Sequence, residues 1–302
     1  MKNKDMKIST NFGPYIKRND LETTLKKIAQ VGFKAVDFSL SRTYGVGEDD
    51  EKFFYGKIKS MCADLDLELF QGHSPFERTD LSPEYFLGDE YFNLQKSAVK
   101  RASYLGIPYL VVHPFTHSAE EGCANVYNDD KKKQASDVNL TFYKRLKYVF
   151  EDYGVKCAIE NLAEYDYVRG KHCACFGSSS AELKNIISEL GRDTFCACFD
   201  SGHANLVKGE TLSDFILNLG EDIKCVHLHD NFGEVSGWGS GLDRHLPPFY
   251  GNIKWKELKN SLIEAGYDGT FNLECSNYMP NAEFDDYFAK YIFKAAKFIL
   301  SD

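Results

Sequence analysis

The sequence predicts an α/β protein folded as a single-domain (β/α)8 barrel, and three observations predict it. Eight short runs rich in β-branched and aromatic residues recur from one end of the chain to the other, separated by longer stretches. Several of those longer stretches carry apolar residues at helical spacing and close on a glycine, as helices capped by a left-handed residue do. No GxGxxG follows a strand and no GxxxxGKS/T occurs, so the phosphate-binding turn of the competing doubly wound sheet is missing. The 302 residues show no linker or composition break, and a barrel accommodates that length as one domain spanning 1–302.

Taken in order, the first strand is expected at KISTNF from Lys7, followed by a helix at LETTLKKIAQVG from Leu21 that ends on Gly32. AVDFS from Ala35 and LELFQGH from Leu67 are the second and third strands. SAVKRASYLG from Ser97 reads as a helix closing on Gly106, ahead of the fourth strand, YLVVH from Tyr109. FYKRLKYVFEDYG from Phe142 closes on Gly154 and leads into KCAIEN from Lys156. SAELKNIISELG from Ser180 closes on Gly191 before the sixth strand, FCACFDSGH from Phe195. IKCVHLHD from Ile223, the helix KWKELKNSLIEAG from Lys254 closing on Gly266, FNLE from Phe271 and a last helix over 282–300 complete the set. The long irregular stretches 75–89, 117–137, 165–177 and 231–252 each follow a strand. In a barrel such loops gather on the C-terminal face, where active sites are built.

Composition narrows the function. A formal charge of −9 disfavours a nonspecific hold on nucleic acid or anionic lipid, which needs clustered Lys and Arg. The run Lys131–Lys133 sits beside Asp129 and Asp130. No apolar run approaches the ~18 residues of a membrane span. Of nine cysteines, Cys157, Cys196, Cys198, Cys225 and Cys275 lie in apolar strand-like runs, and CAC occurs twice without any CxxC. That placement predicts buried thiols in a reducing, cytoplasmic setting rather than disulfides or a cysteine zinc site.

The polar residues fall where a barrel converges. The third strand ends on His73, the fourth on His113, the fifth on Glu160 and the sixth on Asp200, followed by His203. The seventh carries His227 and His229, the eighth ends on Glu274, and the loop between them adds Asp243 and His245. A lone histidine at a strand end is usually a hydrogen-bonded core residue. Collected around one axis, these carboxylates would repel one another unless a cation neutralised them. Imidazole with carboxylate suits Zn, Mn, Fe or Co better than an all-oxygen Ca or Mg site. His227 and His229, two apart on a strand, face the same way; the spacing does not say which one touches a metal.

These motifs resemble the xylose isomerase-like TIM barrel superfamily, which holds sugar (phosphate) isomerases and epimerases and also endonuclease IV. The matching text is GHSPF at 72–76, VVHPF at 111–115, AIEN at 158–161, FDSGHAN at 199–205, VHLHDN at 226–231, DRHLPPFYGNIKW at 243–255 and NLE at 272–274. The resemblance implies a divalent metal on Glu160, Asp200, His227 and Glu274, with His229 orienting its neighbours. It equally implies that His73, His113, His203, Asp243 and His245 match the further ligands of the three-zinc site of endonuclease IV-like proteins. The expected function is therefore a metal-dependent sugar or sugar-phosphate isomerase or epimerase working through a metal-stabilised enediolate. Glu160 and Glu274 would move the proton; His73, His113, His203, His229, Asp243, Arg244 and His245 would bind substrate or an additional metal. The alternative is an endonuclease IV-like phosphodiesterase with a multinuclear zinc site. The acidic charge, the PP-containing loop and Glu77 behind Phe76 favour the sugar. Phe249 departs from the pattern, since a glycine is expected there. Glu164 or Asp166 could replace an assigned carboxylate, and Tyr165, Tyr167, Trp238, Phe249 and Tyr250 could stack on a sugar ring or merely pack the loops. The expected partner is the small sugar or sugar phosphate itself; a homo-oligomer is compatible with this reading, and the sequence does not fix the oligomeric state.

Overall fold

Alternation along each strand decides what faces the barrel axis and what faces the helices. The computed structural model describes residues 6–15, 20–40, 46–76, 82–116, 129–166, 171–172, 174–233, 243–278 and 281–301. Eight parallel strands run in chain order: β1 (Ile8–Thr10), β2 (Ala35–Ser39), β3 (Glu68–His73), β4 (Tyr109–Val112), β5 (Lys156–Glu160), β6 (Phe195–Asp200), β7 (Ile223–His227) and β8 (Phe271–Leu273). Their neighbours follow sequence order, with β8 also paired to β1 through Ile8 and Phe271. Leu228 N donates to Asn272 O at 2.9 Å and Glu274 N to Leu228 O at 3.0 Å, which closes β7 against β8.

In β6 every residue is buried, yet the two faces bury different things. Phe195, Ala197 and Phe199 join the main core between sheet and helices. Cys196 and Cys198 join a separate small cluster with Val111, Ala158 and Cys225. Small side chains are what the inside of an eight-stranded barrel can hold. The inward series then continues upward to Asp200, so one strand runs from apolar floor to polar rim.

Among the described residues the α-helices of eight residues or more are α1 (Leu21–Val31), α2 (Glu51–Asp64), α3 (Asp89–Leu105), α4 (Asp129–Tyr153), α5 (Ser180–Leu190), α6 (Leu212–Leu219), α7 (Trp255–Glu264) and α8 (Asp285–Leu300). The glycines expected to end helices, Gly32, Gly106, Gly154, Gly191 and Gly266, all adopt positive φ. Asp20 caps α1, accepting from Thr23 N at 2.8 Å, and Thr211 caps α6. Two helices were not delineated by the sequence pattern. In α2 the buried stripe is only Tyr55, Ile58 and Cys62 behind Glu51, while Phe53 is exposed and Gly56, inside the continuous helix, breaks the apolar pattern, so the periodicity is weak. α6 is a short, largely apolar segment, LSDFILNL. Helices α3 and α4 begin earlier than their apolar periodicity suggests, at Asp89 and Asp129, because acidic first turns extend them. A two-stranded hairpin, Tyr165–Asp166 with Lys171–His172, occupies part of the loop after β5. No helix among the described residues is long and apolar enough to cross a membrane.

Candidate metal centre

The strand ends deliver their polar side chains to one place. Glu160 (end of β5), Asp200 (end of β6), His227 (end of β7) and Glu274 (after β8) each offer a donor atom within 4.8 Å of the others. Nδ1 of His227 lies 3.2 Å from Glu160 Oε1 and 3.2 Å from Glu274 Oε2. Asp200 caps the short helix Ser201–Asn205, its Oδ1 accepting from His203 N at 2.6 Å, while its Oδ2 meets His229 Nε2 at 3.0 Å. The motif DSGH is thus a helix start used as a donor platform. Its glycine is required, since a Cβ on Gly202 would stand 1.9 Å from the His229 ring.

Two further donor sets flank the first. Nε2 of His73 and Nε2 of His113 are 3.2 Å apart, and they lie 3.3 and 3.1 Å from Glu160 Oε2. On the other side, Asp243 Oδ2 is 3.4 Å from His203 Nε2 and 2.9 Å from His245 Nε2. His229 stacks on His245 with centroids 4.0 Å apart. Phe76 stacks on His113 at 4.3 Å.

The charges alternate. Burial alone would raise the Glu160 carboxyl, but His227 and His113 hold it well below the usual carboxylate range. Burial opposes ionisation of Asp200 and Asp243 too, and neighbouring histidines hold both down: His203 and His229 for Asp200, and His245, His229 and His203 for Asp243. Conversely burial would lower His227 and His203, yet the acidic groups around them raise both well above the ordinary imidazole value. His245 is raised to about 9, with Asp243 overcoming the burial penalty. His113 goes the other way, because burial outweighs Glu160.

This donor set fits a divalent ion. Around a tetrahedral zinc with N and O ligands, donors stand about 3.3 Å apart, the spacing found in the first and second sets. Glu160 Oε2 and His227 Nδ1 are buried and make no hydrogen bond, an arrangement that is costly unless a cation satisfies them. The mixture of imidazole and carboxylate suits Zn, Mn, Fe or Co.

Other expected residues fall elsewhere. Arg244 is half-buried on the loop, and its carbonyl accepts from Tyr278 Oη at 2.7 Å. Glu164 turns away from the strand-end cluster, accepting from Lys208 N at 2.9 Å and Ser178 Oγ at 3.3 Å, so it replaces none of the assigned carboxylates. Phe249 and Tyr250 pack edge-on against Phe298 and Tyr291, which supports their loop-packing role. Glu77, Arg78, Tyr167 and Trp238, and the side chains of Tyr165 and Asp166, lie outside the described residues.

Two acidic residues escaped the sequence reading. Asp230, the last residue of HLHD, accepts from Asn231 N and Ile253 N on Oδ1 (3.0 and 3.2 Å) and from Phe249 N and Trp255 Nε1 on Oδ2 (both 3.0 Å). It fastens the loop carrying Asp243 and His245 to the end of β7. A Cβ on Gly251 would stand 2.2 Å from that carboxylate, and Phe249 takes φ 73° there, the conformation a glycine would adopt freely. The other is Asp37, buried in β2 with Oδ2 2.9 Å from His227 Nε2. Its signal was an acid in the middle of the apolar run AVDFS, on the face shared with Ala35 and Ser39.

The chain is similar to known proteins in sequence and in fold. The protein MJ1311 of Methanocaldococcus jannaschii, an uncharacterized protein, is 25% identical over 278 residues, covering 90% of this chain and 85% of its own. A probable endonuclease 4 of Thermosipho africanus is 28% identical over 225 residues, covering 70% of this chain and 71% of its own. Among solved structures, a D-tagatose 3-epimerase-like protein superposes with a TM-score of 0.71 at 24% identity, over 98% of each chain. A family model described as xylose isomerase-like TIM barrel matches residues 25–289. With the barrel and its strand-end cluster in place, this match settles the family: the chain belongs to the xylose isomerase-like TIM barrels.

Proposed function

We propose that this protein is a divalent-metal-dependent isomerase or epimerase of a small sugar or sugar phosphate, moving a proton at the carbon beside a carbonyl. The observation that carries the reading is the pair Glu160 and Glu274, which reach one nitrogen of His227 from strands β5 and β8. Their side chains differ in access: 1% exposed for Glu160 and 17% for Glu274. Two carboxylates on opposite sides of a bound carbon are what proton removal and return require.

Glu160, Asp200, His227 and Glu274 would hold the ion. The ion supplies electrophilic polarisation of the substrate's oxygens, so that the adjacent C–H becomes acidic enough for a carboxylate to remove. Glu274, on the open side, takes the proton, and the electron pair left on carbon moves toward the carbonyl oxygen. Glu160, sealed on the far side, returns a proton to carbon. Asp243 holds His203 and His245 toward the same space, where with His73, His113 and Arg244 they bind hydroxyls or a phosphate. His229 braces Asp200. The overall charge of −9 and donor side chains that are at most about one-fifth exposed support a small ligand over a polyanionic duplex.

A second reading has its own observation. The sets His73–His113–Glu160 and His203–Asp243–His245 are each grouped closely enough to hold an ion, which favours an endonuclease IV-like phosphodiesterase with several zincs, where the ions activate water and hold the leaving oxygen.

Incubating the metal-loaded protein with keto-pentoses and keto-hexoses, free and phosphorylated, in D2O tests the first reading. Deuterium on the carbon next to the carbonyl is expected, and Glu274→Gln should abolish it. No exchange, with cleavage of an abasic-site DNA duplex instead, would replace the first reading by the second.

A further inference from the structure

An eight-stranded barrel normally fills its axis with branched apolar side chains. Here a polar plug lies between the cysteine-lined floor and the metal centre. Asp37 Oδ2 accepts from Gln71 Nε2 at 2.9 Å and Asn272 Nδ2 at 3.1 Å, and it faces His227 Nε2 at 2.9 Å. Gln71 Nε2 also reaches Val226 O at 3.3 Å, tying the plug to β7. All four side chains are buried, and Asp37 Oδ1 makes no hydrogen bond. A buried carboxylate with one unsatisfied oxygen is a poor way to stabilise a core. Its placement has a definite consequence. The nitrogen of His227 that meets Asp37 is the one turned away from Glu160 and Glu274, while Nδ1 is turned toward them.

We infer that Asp37 is a positioning residue that keeps the imidazole proton of His227 on Nε2, leaving the lone pair of Nδ1 aimed at the metal centre. Gln71 and Asn272 hold the carboxylate in place for this task by occupying the same Oδ2. A neutral imidazole ligates through one nitrogen only, so the partner of the other nitrogen selects the donor. The bulged register between β2 and β3 at Val36 and Asp37 brings Asp37 level with Gln71 rather than with Phe70. The inference rests on His227 being a ligand, and the test separates the two claims.

Histidine-15N labelling and long-range proton–nitrogen correlation report the tautomer of His227 directly, with and without zinc. The expected wild-type signature is a protonated Nε2 and, in the zinc form, an unprotonated Nδ1. Zinc affinity is then compared, by competition with a chromogenic chelator, among wild type, His227→Ala, Asp37→Asn and Asn272→Ala. Asp37→Asn should weaken zinc by about ten- to a hundred-fold and erase the single-tautomer signature. Asn272→Ala, which removes one of the two amide donors to Asp37 but keeps Gln71 and the Asp37–His227 contact, should weaken zinc less than Asp37→Asn does and keep the proton on Nε2. A proton on Nδ1 in the zinc form, or unchanged affinity in Asp37→Asn while His227→Ala loses zinc, overturns the inference. Unchanged affinity in His227→Ala instead overturns the ligand assignment, and the wild-type tautomer still decides the role of Asp37. That readout needs no variant, so a poorly folding Asp37→Asn does not leave the question open.

Discussion

Four donors stand at the ends of β5 to β8, and three more, His203, Asp243 and His245, stand on the segments beyond β6 and β7. The first set is anchored by ladder hydrogen bonds and backed by the Asp37 plug. The second is anchored by a helix cap on Asp200 and by the loop that Asp230 fastens. Access does not simply follow the anchoring: in the strand set Glu160, Asp200 and His227 are at most 1% exposed but Glu274 is 17%, and in the loop set Asp243 is 3%, His203 9% and His245 19% exposed. Strand ends give a position the backbone cannot vary, and loops give one that substitution can reshape. We therefore assign the strand-borne set the metal and the proton, and the loop-borne set the substrate.

The sharpest way to break this division is Glu274→Gln. It should cut turnover by about a thousand-fold, the scale of a lost general base, and leave the fold intact by circular dichroism. If deuterium exchange persists unchanged, Glu274 is not the base. Asp230→Ala should next separate the two sets, because four donors lose a buried acceptor. A loss of about 3 kcal/mol in denaturant titrations is expected, with weakened substrate binding but retained zinc. Loss of zinc in that variant would mean the loop holds the metal as well.

His245→Ala should raise KM by about ten-fold, the effect of one lost hydrogen bond to a charged donor, without changing the number of ions per chain. A drop in that number would move His245 into the metal-binding set.

Protonation supplies a gentler probe. In the metal-free protein His245 is raised to about 9, and His203 and His227 also lie above the ordinary value of 6.5. Between those limits the folded form holds more protons than the unfolded chain. This stability is therefore fully present below about pH 6.5 and lost as pH rises toward 9. The Tm of metal-stripped protein should fall across that window, and zinc, which displaces these protons, should abolish the fall. A metal-stripped Tm that is flat or rising across the window would contradict the charge arrangement. The smallest effect is expected from Phe249→Gly, which should stabilise by about 1 kcal/mol in denaturant titrations by releasing a left-handed phenylalanine. Destabilisation would show that its ring contact with Phe298 outweighs the strain.

Much of this was legible in the sequence, for physical reasons. Parallel barrel strands are buried on both faces and read as apolar runs, so the charged or imidazole groups at the ends of the third to eighth strands stood out, and all eleven expected site residues fall among the described residues. Glycine caps fixed the helix ends. What stayed hidden depends on three dimensions. Asp37 meets a residue 190 positions away, and its strand announced only one acid among apolar neighbours. Asp230 looked like a fourth member of HLHD, whereas its two oxygens face backbone and indole N–H groups. Helices α2 and α6 were obscured by a thin buried stripe and by shortness.

The central claim is most directly tested by counting ions in the active protein. Saturating the chain with zinc or manganese, removing excess and measuring metal by elemental analysis should give one equivalent per chain, lost in His227→Ala and kept in His245→Ala. Three equivalents, falling to two when His245 is removed, would contradict the division of labour and place this barrel with the multinuclear phosphodiesterases.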